Sequence, residues 1–207
     1  MAYRSAPIAD DIIWRAAPQP EDASLADAVR ETIASTRKHL LDFIRLDETP
    51  PLMLALLTQA RAINVSAEHI HVEFHETGRA ACFWLDVHQD NLATERSPEE
   101  RMETLIVSAL QPVIQALEAT GDINAKLIWS NTGYLINWYL TEMKPLLGEA
   151  LLATLRQRCF FEKQLSDGQD NPLWRTVVMR DGLLVRRTCC QRYRLPDVQQ
   201  CGDCTLK

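Results

Sequence analysis

Hydrophobic residues recur with helical spacing in the first third of the chain. After Asp22-Ala23-Ser24, apolar side chains return every three or four positions, which predicts an amphipathic helix over residues 24–46. A shorter helix is predicted over residues 51–63. Its apolar start at residues 51–57 indicates either a buried face or an exposed, aggregation-prone one.

Two stretches alternate with a period of two and predict β-hairpins. Between residues 69 and 75, isoleucine, valine and phenylalanine alternate with histidine and glutamate, and a partner strand is expected over residues 80–87. Near the C-terminus, Asp181-Gly182 separates two strand-like runs at residues 176–180 and 183–187. This dipeptide is typical of a two-residue hairpin turn.

The centre of the chain returns to helical patterning. Ser97-Pro98-Glu99-Glu100 combines a capping residue, a first-turn proline and two acids at the positive helix end, and Gly121 is a stop signal. The predicted helices are 97–120 with a kink at Pro112, 131–143, and 148–161, the last two separated near Pro145.

These elements predict an α+β fold, a mostly helical single domain over residues 1–207 with two β-hairpins. Its last part, residues 176–207, combines a hairpin with a four-cysteine motif. At 46% hydrophobic residues the chain can bury a sizeable core, and its net charge of −6 argues against non-specific nucleic-acid binding. No apolar run approaches the roughly 18 to 20 residues that span a bilayer. The N-terminal residues do not form a signal peptide, which indicates a reducing compartment.

Four of the six cysteines lie within sixteen positions, as the adjacent pair Cys189-Cys190 and the pair Cys201 and Cys204. Four thiolates in one segment predict a metal site. Neighbouring side chains on an extended backbone point to opposite sides, so the adjacent pair suits a two-iron cluster better than a single tetrahedral zinc. Zinc and disulfides remain as alternatives.

The segment from Arg187 to Pro196, Arg-Thr-Cys-Cys-Gln-Arg-Tyr-Arg-Leu-Pro, followed by Cys201-Gly202-Asp203-Cys204, resembles the C-terminus of the FhuF family of ferric-siderophore reductases. Residues 73–79 (Glu-Phe-His-Glu-Thr-Gly-Arg) and 129–143 agree, and the resemblance covers nearly the whole chain. It implies a [2Fe–2S] protein that reduces iron(III) held by hydroxamate siderophores. The chain differs from the family in one respect. Relatives carry an additional segment near the position of residues 48–50, and this chain lacks it.

The resemblance implies that the cluster ligands are Cys189, Cys190, Cys201 and Cys204. It also implies that iron is released in the cytoplasm and that the protein is cytoplasmic, with a location at the cytoplasmic face of the inner membrane as an alternative. The implied partners are ferric hydroxamate siderophores and an electron donor of ferredoxin or flavoprotein type. Peripheral contact with the inner membrane is retained as an open alternative. No Gly-x-Gly-x-x-Gly turn is present for a nicotinamide or flavin site.

Other candidate residues have weaker signals. Arg187, Arg192 and Arg194, together with Arg186, are predicted to tune the cluster electrostatically or to contact the siderophore; the alternative is a surface role, either solvated or salt-bridged to acids elsewhere. His75 is a candidate for a substrate pocket. Histidines 69 and 71 are interpreted as a solvated strand face. The aromatic residues Trp129, Tyr134, Trp138 and Tyr139, and the cysteines Cys82 and Cys159, are interpreted as core.

Two other functions remain open at this point. One is a [2Fe–2S] electron carrier that serves a protein partner, and the other is a zinc-stabilised siderophore-binding module. Colour separates the last from the first two, since a [2Fe–2S] protein is red-brown and a zinc protein is colourless.

Overall fold

A computed structural model of the chain describes residues 53, 56–57, 64–74, 80–85, 92, 95–121, 124–189, 191, 200 and 205, the backbone alone for 70–74 and 80–85. The Cα positions divide the chain into two compact units, Met1–Pro112 and Val113–Lys207. The helix predicted over residues 24–46 lies outside the described residues. The single domain predicted from the sequence stays a prediction.

The first unit contains an antiparallel hairpin of β1 (Ile70–Phe74) and β2 (Ala80–Leu85). Ile70 pairs with Leu85, and the register shifts by one residue between Glu73 and Phe74. The predicted strand start at His69 is wrong, because that residue ends a 3₁₀ turn, Ala67–His69, in which its N–H donates to the Ser66 carbonyl at 2.9 Å.

Helix α1 (Pro98–Thr104) begins where the capping motif predicts. The Ser97 hydroxyl accepts the Glu100 N–H at 3.2 Å, and the Glu100 carboxylate accepts the Ser97 N–H at 2.7 Å. A π-helical segment, Leu105–Leu110, then leads into α2 (Gln111–Ala119). The predicted irregularity at Pro112 takes this form because its ring clashes with a carbonyl four residues earlier, and a wider turn relieves that clash.

The apolar run after residue 51 is buried at every position that the structure describes. Met53, Leu56 and Leu57 are helical, with exposed fractions of 0%, 1% and 6%. Of the two alternatives that the sequence left open, burial is therefore confirmed for these three residues. The other described core positions of this unit are Val65, Met102, Leu105, Ile106 and Ala109.

The second unit is built on two helices, α3 (Ala125–Glu142) and α4 (Lys144–Arg156), the latter continued by a π-helical segment, Gln157–Phe161. The predicted start of α3 at residue 131 is six residues late, because Asn124 caps the helix and accepts the Lys126 N–H at 2.9 Å. The predicted separation near Pro145 is confirmed, since α3 ends at Glu142 and α4 begins at Lys144, and α4 contains a further non-helical residue, Gly148, where φ is 75°.

Helices α3 and α4 are joined by Arg156, whose guanidinium donates to Asn137 Oδ1 at 3.1 Å and to Thr141 Oγ1 at 2.6 Å. Desolvation at this partly buried position lowers the pKa of Arg156, and the charge of Glu149 offsets part of that shift. The described core of this unit comprises Ile114, Ile136, Tyr139, Leu140, Met143, Leu152, Leu155, Cys159, Phe160, Leu165, Leu173 and Val177.

The second hairpin forms as predicted, with β3 (Val177–Arg180) antiparallel to β4 (Leu183–Arg186). Asp181 and Gly182 have φ values of 51° and 79°, the two positive angles that a type I′ turn requires. For the residues described, the mostly helical α+β fold with two antiparallel strand pairs is confirmed.

Candidate metal centre

Helix α3 holds the base of the β3–β4 hairpin through a glycine. A Cβ placed on Gly133 would lie 2.1 Å from Thr176 Oγ1 and 2.7 Å from Thr176 Cβ. Only glycine allows this approach. Thr176 in turn accepts the Arg187 N–H on its carbonyl at 2.9 Å, so the contact also fixes the end of β4.

Arg186 ends β4 as a buried cation, 7% exposed. Its Nη1 donates to Asn131 Oδ1 at 3.1 Å, and its guanidinium carbon lies 4.9 Å from the centre of the Tyr134 ring. A charge in this position is stabilised by the amide oxygen and by the face of the aromatic ring. The alternative of solvated surface is therefore wrong for Arg186.

The next connection is a hydrogen bond from the Thr188 hydroxyl to the Ser130 hydroxyl, 2.6 Å long. Ser130 is 2% exposed, so its hydroxyl has little access to water and benefits from a protein partner. A little more than one turn of α3, from Ser130 to Tyr134, thus contacts Thr176, Arg186 and Thr188, and the chain reaches Cys189 from a fixed direction.

Cys189 is a free thiol at an intermediate level of exposure. Its Sγ accepts the N–H of Gln191 at 3.3 Å, and Gln191 has a φ of 59°. A left-handed residue directly after the cysteine pair turns the chain sharply, which adjacent ligands need if both are to face one centre. Backbone N–H donation to sulfur is also a recognised way of stabilising metal-bound thiolates. The described part of this segment therefore fits a cluster ligand.

The surroundings of the motif are basic. Residues 175–196 contain six arginines and one acid, Asp181, within a chain whose net charge is −6. Arg187 is exposed beside Cys189. Four thiolates around two ferric ions and two sulfides have a formal charge of about −2. Cations nearby favour such a centre and favour its reduced form most.

The remaining predicted site residues lie outside the part of the chain that the structure describes: Cys190, Cys201, Cys204, Arg192, Arg194 and His75. Within the described residues, no group of three or more metal-ligating side chains is present. The four-cysteine ligand set accordingly stays a prediction that rests on the sequence.

The residues interpreted as core separate into two groups. Cys159 is 3% exposed and Tyr139 is 2% exposed, as expected, whereas Trp129, Tyr134 and Trp138 are only half-buried. The half-buried Tyr134 stacks on Arg186 and thus supports the site. The side chain of Cys82 lies outside the described residues.

Sequence reasoning missed the residues of α3 that hold the hairpin, namely Ser130, Asn131 and Gly133. The one available signal was the small-residue spacing of Ser130 and Gly133 in an otherwise bulky helix, which indicates close approach of another backbone. Among the described residues, no helix is long and apolar enough to cross a membrane.

Comparison with known proteins extends the picture beyond the described residues. Residues 49–184 match the family profile described as ferric iron reductase FhuF-like transporter, and residues 186–206 match the FhuF 2Fe-2S C-terminal domain, a span that includes all four clustered cysteines. A ferric siderophore reductase of Escherichia coli (strain K12) is 59% identical over 262 aligned positions that cover 100% of both chains.

The length of that alignment bears on the segment expected near residues 48–50. The 262 aligned positions exceed the 207 residues of this chain by 55, and both chains are covered in full, so the additional positions of the relative are internal. This agrees with the expectation of a segment that this chain lacks. Its position stays a prediction.

Proposed function

The chain belongs to the FhuF family of ferric iron reductases, and from that premise we propose that it reduces iron(III) in hydroxamate-type siderophores and releases iron(II) in the cytoplasm. It is a ferric siderophore reductase, and its cofactor is a [2Fe–2S] cluster. The proposed ligands of that cluster are Cys189, Cys190, Cys201 and Cys204. The proposed organisation is a single functional domain over residues 1–207.

The hydroxamate class is what the family resemblance implies, and iron chemistry explains why reduction releases the metal from it. Iron(III) is a hard cation that hydroxamate oxygens bind very tightly, whereas iron(II) is softer and less charged and the same oxygens hold it weakly. Reduction therefore converts a chelate that hardly dissociates into one that exchanges its metal. When bound, a [2Fe–2S] cluster supplies electrons singly, which matches the one electron that iron(III) requires.

The protein's own residues have three tasks in this proposal. The β3–β4 hairpin, fixed on α3 at Gly133, directs the chain into the first cysteine pair. The Gln191 N–H lowers the electron density on Cys189 Sγ, and the buried Arg186 and exposed Arg187 add positive charge beside the site. An acid–base pair is not needed, because no bond to carbon is made or broken.

The observation that carries the proposal is the environment of Cys189. A free thiol accepts a backbone N–H just before a left-handed turn, inside the span that matches the family's 2Fe-2S domain. The electron must come from elsewhere, since the sequence contains no nucleotide-cofactor fingerprint. We propose a ferredoxin- or flavoprotein-type donor in the cytoplasm, with any contact to the inner membrane being peripheral.

The test is a single-turnover reaction. The protein is reduced chemically, freed of reductant and mixed rapidly with a ferric trihydroxamate or a ferric triscatecholate, while cluster oxidation is followed by absorbance and iron(II) by a colour-forming chelator. We expect iron(II) from the hydroxamate in a ratio of one per cluster, and slower reaction of the catecholate. Equal rates would contradict the hydroxamate preference, and no iron(II) from either would contradict the reaction.

A further inference from the structure

A groove of about 310 Å³ lies along β3 in the second unit. Its apolar residues are unusually open to solvent, with Phe161 40% exposed, Trp174 37% and Met179 61%. Soluble proteins seldom expose several large apolar side chains side by side unless something binds there. The residues that line the groove are Phe161, Trp174, Arg175, Val177, Val178 and Met179.

The groove is a built feature, since two uncommon backbone conformations form it. The π-helical segment Gln157–Phe161 ends in the groove, and Arg175 has a φ of 57°, which is rare for a residue other than glycine. The two are joined because the Arg175 N–H donates to the Phe160 carbonyl at 2.8 Å. Backbone strain of this kind is often retained at functional sites.

The buried Asn171 locks this arrangement. Its amide nitrogen donates to the carbonyls of Cys159 at 3.0 Å and Glu162 at 2.9 Å, which the end of the helix leaves without helical partners. Its Oδ1 accepts the Leu173 N–H at 2.9 Å, so the turn that presents Trp174 is tied to the helix that presents Phe161.

The rim of the groove is positively charged. Lys163 Nζ lies 5.1 Å and the Arg175 guanidinium carbon 5.9 Å from the centre of the Trp174 ring. The nearby acid Glu162 is already paired with Arg158. The groove thus combines an apolar centre with two cations. One of them, Arg175, is also the first residue of a sequence segment, residues 175–196, that contains six arginines and one acid and therefore has a net charge of +5.

The groove is also close to the cluster ligands. Val177, on its floor, pairs with Arg186 across the hairpin, and Cys189 follows Arg186 by three residues. A strand pair separates Cα atoms by about 5 Å and three residues extend at most roughly 10 Å, so Cys189 lies within about 15 Å of the groove floor.

We propose that this groove is the docking surface for a small acidic one-electron carrier protein, which reduces the cluster from this side. The inference rests on the proposed function, because it assumes a cluster that must be reloaded after each turnover. One electron leaves the carrier and one enters the cluster, and no atom is transferred. The apolar centre excludes water at the contact, and the cations steer an anionic partner toward it.

An acidic protein fits the groove better than the ferric chelate does. Hydroxamate chelates of iron(III) are commonly neutral or cationic, so the two rim cations, Lys163 and Arg175, give them no electrostatic attraction, whereas an acidic carrier gains from both charges. Contacts between electron-transfer proteins are small and brief, and a shallow groove with a charged rim suits them.

The first measurement is binding without turnover. An acidic flavodoxin in its oxidised form is titrated into the cluster-loaded protein at low and high salt. The double variant Lys163→Gln/Arg175→Asn removes both rim cations, and asparagine tolerates the left-handed backbone at position 175. We expect its affinity to fall roughly tenfold at low salt and to differ little from the unaltered protein at high salt. Met179→Asp, at an exposed position, should also weaken binding.

The second measurement separates the two half-reactions. Flavodoxin hydroquinone should reduce the cluster more slowly in both variants. The rate is measured from the absorbance of the blue flavodoxin semiquinone that forms. The methyl viologen radical, a small cation that needs no docking surface, should reduce them all at one rate. Oxidation of the pre-reduced proteins by a ferric trihydroxamate should be unchanged. The control is Lys144→Gln, which removes one positive charge at the far end of α4 and should change nothing.

Unchanged affinity and unchanged reduction by flavodoxin in both variants would overturn the proposal, as would the absence of any binding to the unaltered protein. Slower oxidation by the ferric chelate would overturn it in favour of a substrate site in the groove. If the unaltered protein bound and accepted electrons from flavodoxin but reduced no chelate, the proposed function would fail while the docking surface stood.

Discussion

The two ends of the β3–β4 hairpin differ sharply although both are made of apolar residues and arginines. At the base, Val177 is fully buried and its partner Arg186 is 7% exposed, because both lie against α3. At the tip, Met179 is 61% exposed and Leu183 is 68% exposed. A single ladder of four residue pairs thus runs from the protein core into solvent.

The difference shows that burial in this hairpin is decided by α3 and not by residue type. An arginine is buried where Asn131 and Tyr134 receive it, and a methionine is exposed where no helix covers it. The base fixes the direction in which the chain enters Cys189, so it serves the cofactor. The tip does not position the cofactor, and we assign its apolar surface to binding of the electron carrier protein.

The largest expected effect is the loss of the cluster on substitution of Cys189, the cysteine that follows the base of the hairpin. Cys189→Ser should lose the cluster, because a hydroxyl is a poor ligand for iron in place of a thiolate. Iron and acid-labile sulfide per chain and the visible spectrum provide the measurement. Cys159→Ala is the control, since that cysteine is buried in the core and should leave cluster content unchanged. Full cluster content in Cys189→Ser would remove this residue from the ligand set.

A smaller effect is expected from overfilling the contact between α3 and the base. Gly133→Ala places a methyl group 2.1 Å from Thr176 Oγ1, so the hairpin must move. Overpacking costs about 1–3 kcal/mol, and an approach this close puts the cost at about 3 kcal/mol. The higher helix propensity of alanine offsets up to about 1 kcal/mol, which leaves a net loss of about 2–3 kcal/mol. Thermal and urea unfolding measure it.

The matched change at the tip is Met179→Ser, which should alter the free energy of unfolding by less than about 0.5 kcal/mol because the side chain is mostly exposed. If the two variants had the same free energy of unfolding, the base of the hairpin would contribute no more to stability than its tip, which would contradict the contrast drawn between them.

The hydrogen bond between Thr188 and Ser130 should contribute less. Thr188→Val removes the donor and leaves the buried Ser130 hydroxyl without this partner, at a cost of about 1 kcal/mol. Ser130→Ala removes the acceptor, and the double variant completes a cycle. We expect the two single losses to be non-additive by about 0.5–1 kcal/mol. Strict additivity would show that the two hydroxyls do not depend on each other.

The smallest effect is expected in the reduction potential of the cluster. Replacing Arg186 or Arg187 with glutamine removes a positive charge that favours the more negative, reduced form, so the potential should fall in both variants. The fall should be greater for Arg186, since a buried charge is screened less by water and salt. Potentiometric titration at two salt concentrations decides this, and equal shifts would indicate that burial at the base has no electrostatic consequence.

Several elements were predictable because the chemistry that forms them is local. Asp181-Gly182 supplies two positive φ angles, and Ser97 with Glu100 closes a capping box, so both elements follow from a few adjacent residues. The cysteine motif is local in the same sense, and the family match bears out the cofactor that it predicted. The start of α3 after Asn124 was missed although its capping signal is local, because Leu127, Ile128 and Trp129 are consecutive apolar residues that show no helical period.

The tertiary structure decided what these elements do to each other. The sequence contains Arg186 and Arg187 as neighbours of one type, and only packing on α3 makes one a buried cation and the other a surface charge. The same holds for Gly133, whose role depends on Thr176, 43 positions away. The groove at Phe161 and Trp174 likewise requires Asn171 to join a helix end to a turn. Local propensity sets each backbone, whereas burial and electrostatic environment arise from contacts between residues that are distant in the chain.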